Sequence, residues 1–143
     1  MLSTKRVRRD IFGMAGVFWV ASELSRQGWV ALPTIRNLKA VDIIAQHPTS
    51  SKRVDIQVKT IQGRGFWLLG KMRRKDIECE RSLFFVFVRP EAPPSTCFEG
   101  FVVHSAHVQR DARQQSNRKF QFCWYPPDRA KLYRNRWDAL GQK

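Results

Sequence analysis

Acidic side chains are scarce in this chain of 143 residues: 12 Asp and Glu stand against 26 Lys and Arg, a formal net charge of +14. Such an imbalance asks for a polyanionic partner, nucleic acid ahead of an anionic membrane surface. Cysteine is also sparse, with 3 residues at Cys79, Cys97 and Cys123. They are odd in number and far apart, which excludes a disulfide framework and a CxxC metal knuckle and fits a reducing compartment. No apolar run approaches the roughly 20 residues of a membrane span. The start, MLSTKRVRRD, has a basic cluster but no signal-type apolar region after it. A cytoplasmic protein without membrane attachment is therefore expected.

What is present excludes a disordered basic tail. Hydrophobic residues make up 43% of the chain, with 10 Phe and 5 Trp, enough to offset the entropy of ordering it. The length suits one domain spanning residues 1–143, with a basic N-terminal segment, 1–9.

Asp10 is placed to cap a helix running to about Gln27, with Gly28 at the left-handed position that ends it. Met14, Val17, Ala21 and Leu24 fall at helical spacing and predict its buried stripe. Trp29–Leu32 reads as a short strand stopped by Pro33. Two further strand-like runs, Ala40–Gln46 and Val54–Thr60, predict an antiparallel hairpin. In the second, Val54, Ile56 and Val58 alternate with Asp55, Gln57 and Lys59, so the two sets lie on opposite faces. Phe66–Leu69 predicts another strand, and Lys71–Arg81 a charged surface segment. Ser82–Val88 is continuously apolar, as in a strand buried on both faces. Phe98–Val103 follows as a strand, and Ser105 is placed to cap a helix through about Gln115. The sum is an α/β domain with a mixed central sheet flanked by helices.

The constellation with chemical content is Asp42 in VDIIA together with Gln57 and Lys59 in IQVKT. Gln57 and Lys59 project from one strand face, and Asp42 joins them if paired residue numbers in the hairpin sum to an odd value. Such a cluster suits metal-assisted phosphodiester hydrolysis, with a carboxylate on Mg²⁺ and a lysine orienting water and offsetting phosphate charge. By spacing alone, a solvated strand face accounts for it equally well.

In the order helix, short strand, VDIIA, loop, IQVKT, buried strand, the chain resembles the PD-(D/E)XK nuclease superfamily, specifically its small single-domain prokaryotic members. The likeness takes in AGVFWVASELSRQGW and, near the end, YRNRWDAL. The resemblance implies a restriction-endonuclease-like fold and a Mg²⁺-dependent DNA endonuclease, with Mn²⁺ as a substitute. It makes Asp42 and Gln57 metal ligands, adds the Val58 carbonyl to them, and gives Lys59 the catalytic role. It also raises a homodimer in which each protomer cuts one strand. Two departures stand out. Gln57 occupies a position more often held by Glu or Asp, though its amide oxygen can still approach a metal. Val17 occupies the position of a helix glutamate, and valine binds no metal. Glu23, six residues on, is turned about 240° around the helix and is no substitute. Asp55 is at most an outer ligand.

Arg36 and Lys39, in the loop before Asp42, and Arg64, after the motif strand, are the expected phosphate contacts. Lys5–Arg9 reads equally as a backbone-tracking arm or a solvated tail. His104 and His107 have HxxH spacing but no third ligand nearby and read as ordinary histidines. Trp67, Trp124 and Trp137 read as core or lid residues, and Gly63–Gly65 as a simple turn. Two alternatives to a nuclease stay open. One is a non-catalytic nucleic-acid-binding protein of the same fold, favoured by Val17. The other is a basic RNA-binding or protein-interaction module.

Overall fold

A computed structural model describes residues 5–35, 41–117 and 121–141. Helix α1 (Arg9–Arg26) leads into strands β1 (Val30–Pro33), β2 (Ile43–Gln46), β3 (Arg53–Thr60), β4 (Trp67–Gly70), β5 (Leu83–Pro90) and β6 (Phe98–His104). Helix α2 (Ser105–Asp111), strands β7 (Arg113–Ser116) and β8 (Gln121–Tyr125) and the short helix α3 (Pro127–Ala130) follow, with 3₁₀ turns at Lys131–Tyr133 and Trp137–Gly141. Five strands form one mixed sheet in the order β1-β2-β3-β5-β6, and three form a second in the order β4-β8-β7. Only β3 and β5 run parallel in the larger sheet. The expected class, α/β with a mixed central sheet flanked by helices, is the observed one.

Alternation along the strands divides the core. Ile43, Val54, Ile56, Val58, Phe84, Val86 and Val102 face α1 and the C-terminal turn, where Val20, Leu24, Trp137 and Leu140 complete one buried layer. Phe85, Phe87, Phe101 and Val103 face the other way, onto Trp67, Tyr125, Val108 and Ala130 of the small sheet and helices. Strand β5 thus has both faces covered, which explains its unbroken apolar sequence. The Phe87 ring stacks on Tyr125 at 4.5 Å.

The helices depart from expectation. Asp10 does not cap α1: the helix already starts at Arg9, no side chain caps it, and Asp10 pairs with Arg8 at 2.7 Å. Its buried line is Gly16, Val20 and Leu24, whereas Met14 is exposed and Val17 only half-buried. The reason is a close crossing. A methyl group at Gly16 would collide with the Thr60 side chain of β3, so the smallest residue sets which side of α1 meets the sheet. The C-terminus is as expected: Gly28 has φ +90°, and Trp29 N–H donates to Leu24 O at 3.0 Å. Helix α2 stops at Asp111 instead of about Gln115, because Arg113–Ser116 pairs with β8. Its cap is also not Ser105. The His104 ring accepts the Ala106 N–H, and Ser105 turns inward to donate to Glu80 O at 2.8 Å.

Candidate active site

Strand β2 pairs with β3 from Ile43↔Ile56 to Gln46↔Arg53, sums of 99 throughout. That odd register carries Asp42, just before β2, to the face bearing Asp55, Gln57 and Lys59, away from α1. The small sheet covers this face over β5 and β6, where Phe85 and Phe87 pack beneath it, while Val30 and Leu32 of β1 remain exposed. Asp42, Gln57 and Lys59 therefore lie along the boundary between a covered and an open half of the sheet.

Asp42 is fixed by backbone. Its N–H donates to Ile56 O at 2.8 Å, and its carbonyl accepts the Thr34 N–H at 2.9 Å. Its Oδ2 accepts the Val58 N–H at 2.7 Å. The β2–β3 pairing has ended at Ile43↔Ile56, so the carboxylate takes the place of a missing strand partner. The N–H and C=O of one strand residue leave toward the same side, which brings the Val58 carbonyl out beside Asp42. Burial pushes the Asp42 carboxyl above its ordinary value, while the Val58 N–H and the Lys59 charge pull it back. Burial likewise lowers Lys59, and the charge of Asp42 opposes that. The two groups are mutually attractive, half-buried charges, an arrangement found at catalytic sites more often than at random surface positions.

Gln57 shares their face but opens into a different hollow. It lines a cavity of about 350 Å³ with Met72, Asp76 and Glu78, whereas Lys59 lines a groove of about 590 Å³ with Arg6, Arg9 and Phe66. Nothing in the residue spacing hinted at Asp76 and Glu78 near Gln57. Asp76 is committed to Arg73 at 2.8 Å, which holds its carboxyl below the usual range. A larger cavity of about 810 Å³ lies at the other end of β3, rimmed by Lys52, Arg53, Arg81 and Arg136, and none of the three motif residues lines it.

The donor set can be tested against a hard cation. Asp42 uses Oδ2 for Val58, which leaves Oδ1 and the Val58 carbonyl as oxygen donors there, while the Gln57 amide opens into the neighbouring hollow. Among the described residues no three His, Cys, Asp or Glu side chains gather as a metal cage. One carboxylate with carbonyl oxygens suits Mg²⁺, which keeps several waters and takes further ligands from phosphate. It does not suit zinc.

The other expected residues are placed away from this cluster or engaged elsewhere. Val17 packs against the helix-side core, on the sheet face opposite Gln57 and Lys59. Arg36 and Lys39 lie outside the described residues. Arg64 is engaged internally, donating to Pro90 O at 3.0 Å and pairing with the buried Glu99 at 3.3 Å, alongside Arg89 and Arg134. Both ring nitrogens of His104 are used, Nδ1 accepting from Ala106 and Nε2 against the Arg81 carbonyl, which leaves neither for a metal. Trp67 and Trp137 are buried; Trp124 instead lies on the outer face of the small sheet. The arm Lys5–Arg9 is no free tail at Val7, which exchanges two hydrogen bonds with the Gln62 side chain, at 3.0 and 2.6 Å.

No family model and no curated protein sequence matches the chain. Its fold is similar to that of a solved bacterial homing endonuclease, I-Ssp6803I, with a TM-score of 0.54 over 99% of this chain and 94% of that one. The two are 14% identical, so the likeness is one of fold. No helix among the described residues is long and apolar enough to cross a membrane.

Proposed function

We propose that the protein is a divalent-metal-dependent DNA endonuclease of the PD-(D/E)XK type. The observation that carries this reading is the Asp42 carboxylate, held on the Val58 N–H beside Lys59 at the sheet boundary. The endonuclease-like fold and the net charge of +14 support it.

In this reading Asp42, the Val58 carbonyl and the Gln57 amide oxygen would hold Mg²⁺, or Mn²⁺ in its place. The cation would polarise the scissile phosphate and lower the pKa of a bound water. Lys59 does the work of the chain itself. Its ammonium N–H groups orient the attacking water and offset charge gathering on the phosphate oxygens. Asp42 keeps that lysine in place by Coulomb attraction. Arg6 and Arg9, which share the groove with Lys59, contact flanking phosphates. A homodimer would cut both strands of a duplex.

The test is incubation with plasmid and branched DNA in Mg²⁺ or Mn²⁺, with and without chelator. Chelator-sensitive cleavage that falls ~10²-fold or more in Lys59→Ala, with binding retained, is the expected result. Cleavage that survives both Lys59→Ala and Asp42→Ala would put the chemistry elsewhere. A second reading, a DNA-binding protein of the same fold without a competent site, is favoured by one observation: Val17 sits in the helix-side core and supplies no carboxylate. Tight binding without cleavage under either metal would select it.

A further inference from the structure

The small sheet carries apolar side chains on both faces. Trp67, Leu69, Cys123 and Tyr125 point inward and are buried. Their neighbours Leu68, Phe122 and Trp124 point outward, and the register sets Leu68 opposite Trp124. Phe66, at the head of β4, is 49% exposed. Its ring lies 5.7 Å from that of Trp124, which lies 5.3 Å from Phe122. Three aromatic rings, tilted against one another by 50° and 36°, thus form a stepped ledge on the sheet surface, with Phe66 exposed and Trp124 and Phe122 half-buried. Phe66 and Phe122 also line the 590 Å³ groove that holds Lys59, Arg6 and Arg9, and no described residue lining that groove is acidic. The reciprocal hydrogen bonds between Val7 and Gln62 keep the two arginines there.

We propose that this ledge and groove bind an unpaired stretch of DNA, its bases stacked on Phe66 and Trp124 and its phosphates led past Arg6 and Arg9 toward Lys59. The inference rests on the nuclease reading and narrows its substrate to DNA with single-stranded character beside the scissile phosphate, such as a flap, a fork or a displaced strand. Planar rings on an open sheet accept any base through its π-face, and a flanking cationic groove follows the backbone. Paired bases in a duplex stay stacked on each other and offer no π-face to the same rings. An apolar contact between two copies of the chain is the competing occupant. It would match apolar surface with apolar surface, and it leaves Arg6 and Arg9 beside the ledge without a counterpart.

The experiment separates this proposal from the activity it builds on. Binding of a single-stranded oligonucleotide and of the duplex of the same sequence is measured in chelator, where no cleavage occurs, on the full chain. Phe66→Ala and Trp124→Leu should each weaken single-strand binding by roughly 5- to 150-fold, the scale of one lost base stack, and leave duplex binding nearly unchanged. Phe66→Tyr should retain the affinity and Leu68→Ala should not alter it, because stacking needs a ring and not merely apolar area. Equal melting temperatures show that the variants fold, and Phe66 is exposed enough for this to be expected. Two results overturn the proposal: equal loss of single-strand and duplex binding in the ring variants, or unchanged single-strand binding with loss of a dimer in sedimentation for Phe66→Ala and Leu68→Ala alike. Should the ring variants lose single-strand binding while no substrate is ever cleaved, the ledge stands and the nuclease reading falls. Should duplex be cleaved equally well by wild type and ring variants, and single strands not preferred, the nuclease stands and the ledge falls.

Discussion

Asp42 Oδ2 and the Val58 N–H meet at 2.7 Å just where the pairing of β2 with β3 ends. The carboxylate therefore has a structural duty beside any metal-binding one. Asp42→Ala leaves a buried strand N–H without a partner, which costs about 1–3 kcal/mol. Asp42→Asn keeps an oxygen acceptor for Val58 and loses only the charge. The expected outcome is a clear drop in melting temperature for the alanine variant, little or none for asparagine, and no cleavage from either. Cleavage by Asp42→Asn at the wild-type rate would free the residue from the metal role.

The pH dependence of stability follows from the same pair. The folded state holds the Asp42 proton to higher pH than the unfolded chain does, because burial raises the carboxyl from its ordinary 3.8. Between those two values the fold binds more protons, so this residue's contribution to stability falls as pH rises. Lys59 acts in the opposite sense. Its pKa is lowered from 10.5 by burial, the unfolded chain binds more protons there, and the contribution rises with pH up to that value. In metal-free protein, the stability of wild type minus that of Asp42→Asn should fall as pH climbs out of the carboxylate range. The difference from Lys59→Met should rise on the alkaline side. Urea unfolding across pH in chelator measures both, and a flat difference for Asp42→Asn would show that its burial is not felt.

Much of the site was legible because strands advertise their faces. The alternation of Val54, Ile56 and Val58 with Asp55, Gln57 and Lys59 needed only an odd register to bring Asp42 alongside, and the register is odd. Helix α1 was less legible, since the contact that orients it belongs to Gly16, which has no side chain to register in a hydropathy pattern. The small sheet was legible only at β4, where Phe66–Leu69 reads as a strand. Arg113–Ser116 contains no apolar residue and is a strand only through its pairing with β8, so local periodicity is silent about it. Trp124 reads as a core or lid residue because aromatic residues usually are. Only the fold shows that β4 and β8 already bury their other faces.

The N-terminal arm offers a test through salt. Gln62 holds Val7 by two hydrogen bonds and so fixes Arg6 and Arg9 over the Lys59 groove. Gln62→Ala removes the clamp without touching any cation. Each phosphate contact contributes about 0.9 to the log-log salt slope on duplex DNA. The variant should bind more weakly at low salt and show a slope shallower by about 1 to 2. Replacing Arg6 and Arg9 themselves by Ala should have the same effect, and combining the two changes should add little. A Gln62→Ala slope equal to wild type would mean that the arm contributes no phosphate contact.

Gly16 decides how α1 sits on the strand that carries Gln57 and Lys59. In an exposed helix, Gly→Ala would gain about 0.8–1.0 kcal/mol from propensity. Here the added methyl runs into Thr60, whose β-branched side chain on a strand has little freedom to swing aside. Overpacking of that kind typically costs about 1–3 kcal/mol or more, so the clash should win and Gly16→Ala should destabilise. Thr60 adjoins Lys59, and pushing α1 off β3 should therefore lower cleavage more than it lowers DNA binding. Truncating Thr60 supplies the check. Its Oγ1 is buried without a hydrogen-bond partner, so Thr60→Ala forfeits no such bond and opens the space that the added methyl needs. The double variant Gly16→Ala with Thr60→Ala should be more stable than the sum of the single changes by at least about 0.5 kcal/mol, the range expected for residues in contact. Strict additivity, or a stabilising Gly16→Ala, would place the crossing point of α1 somewhere other than Thr60.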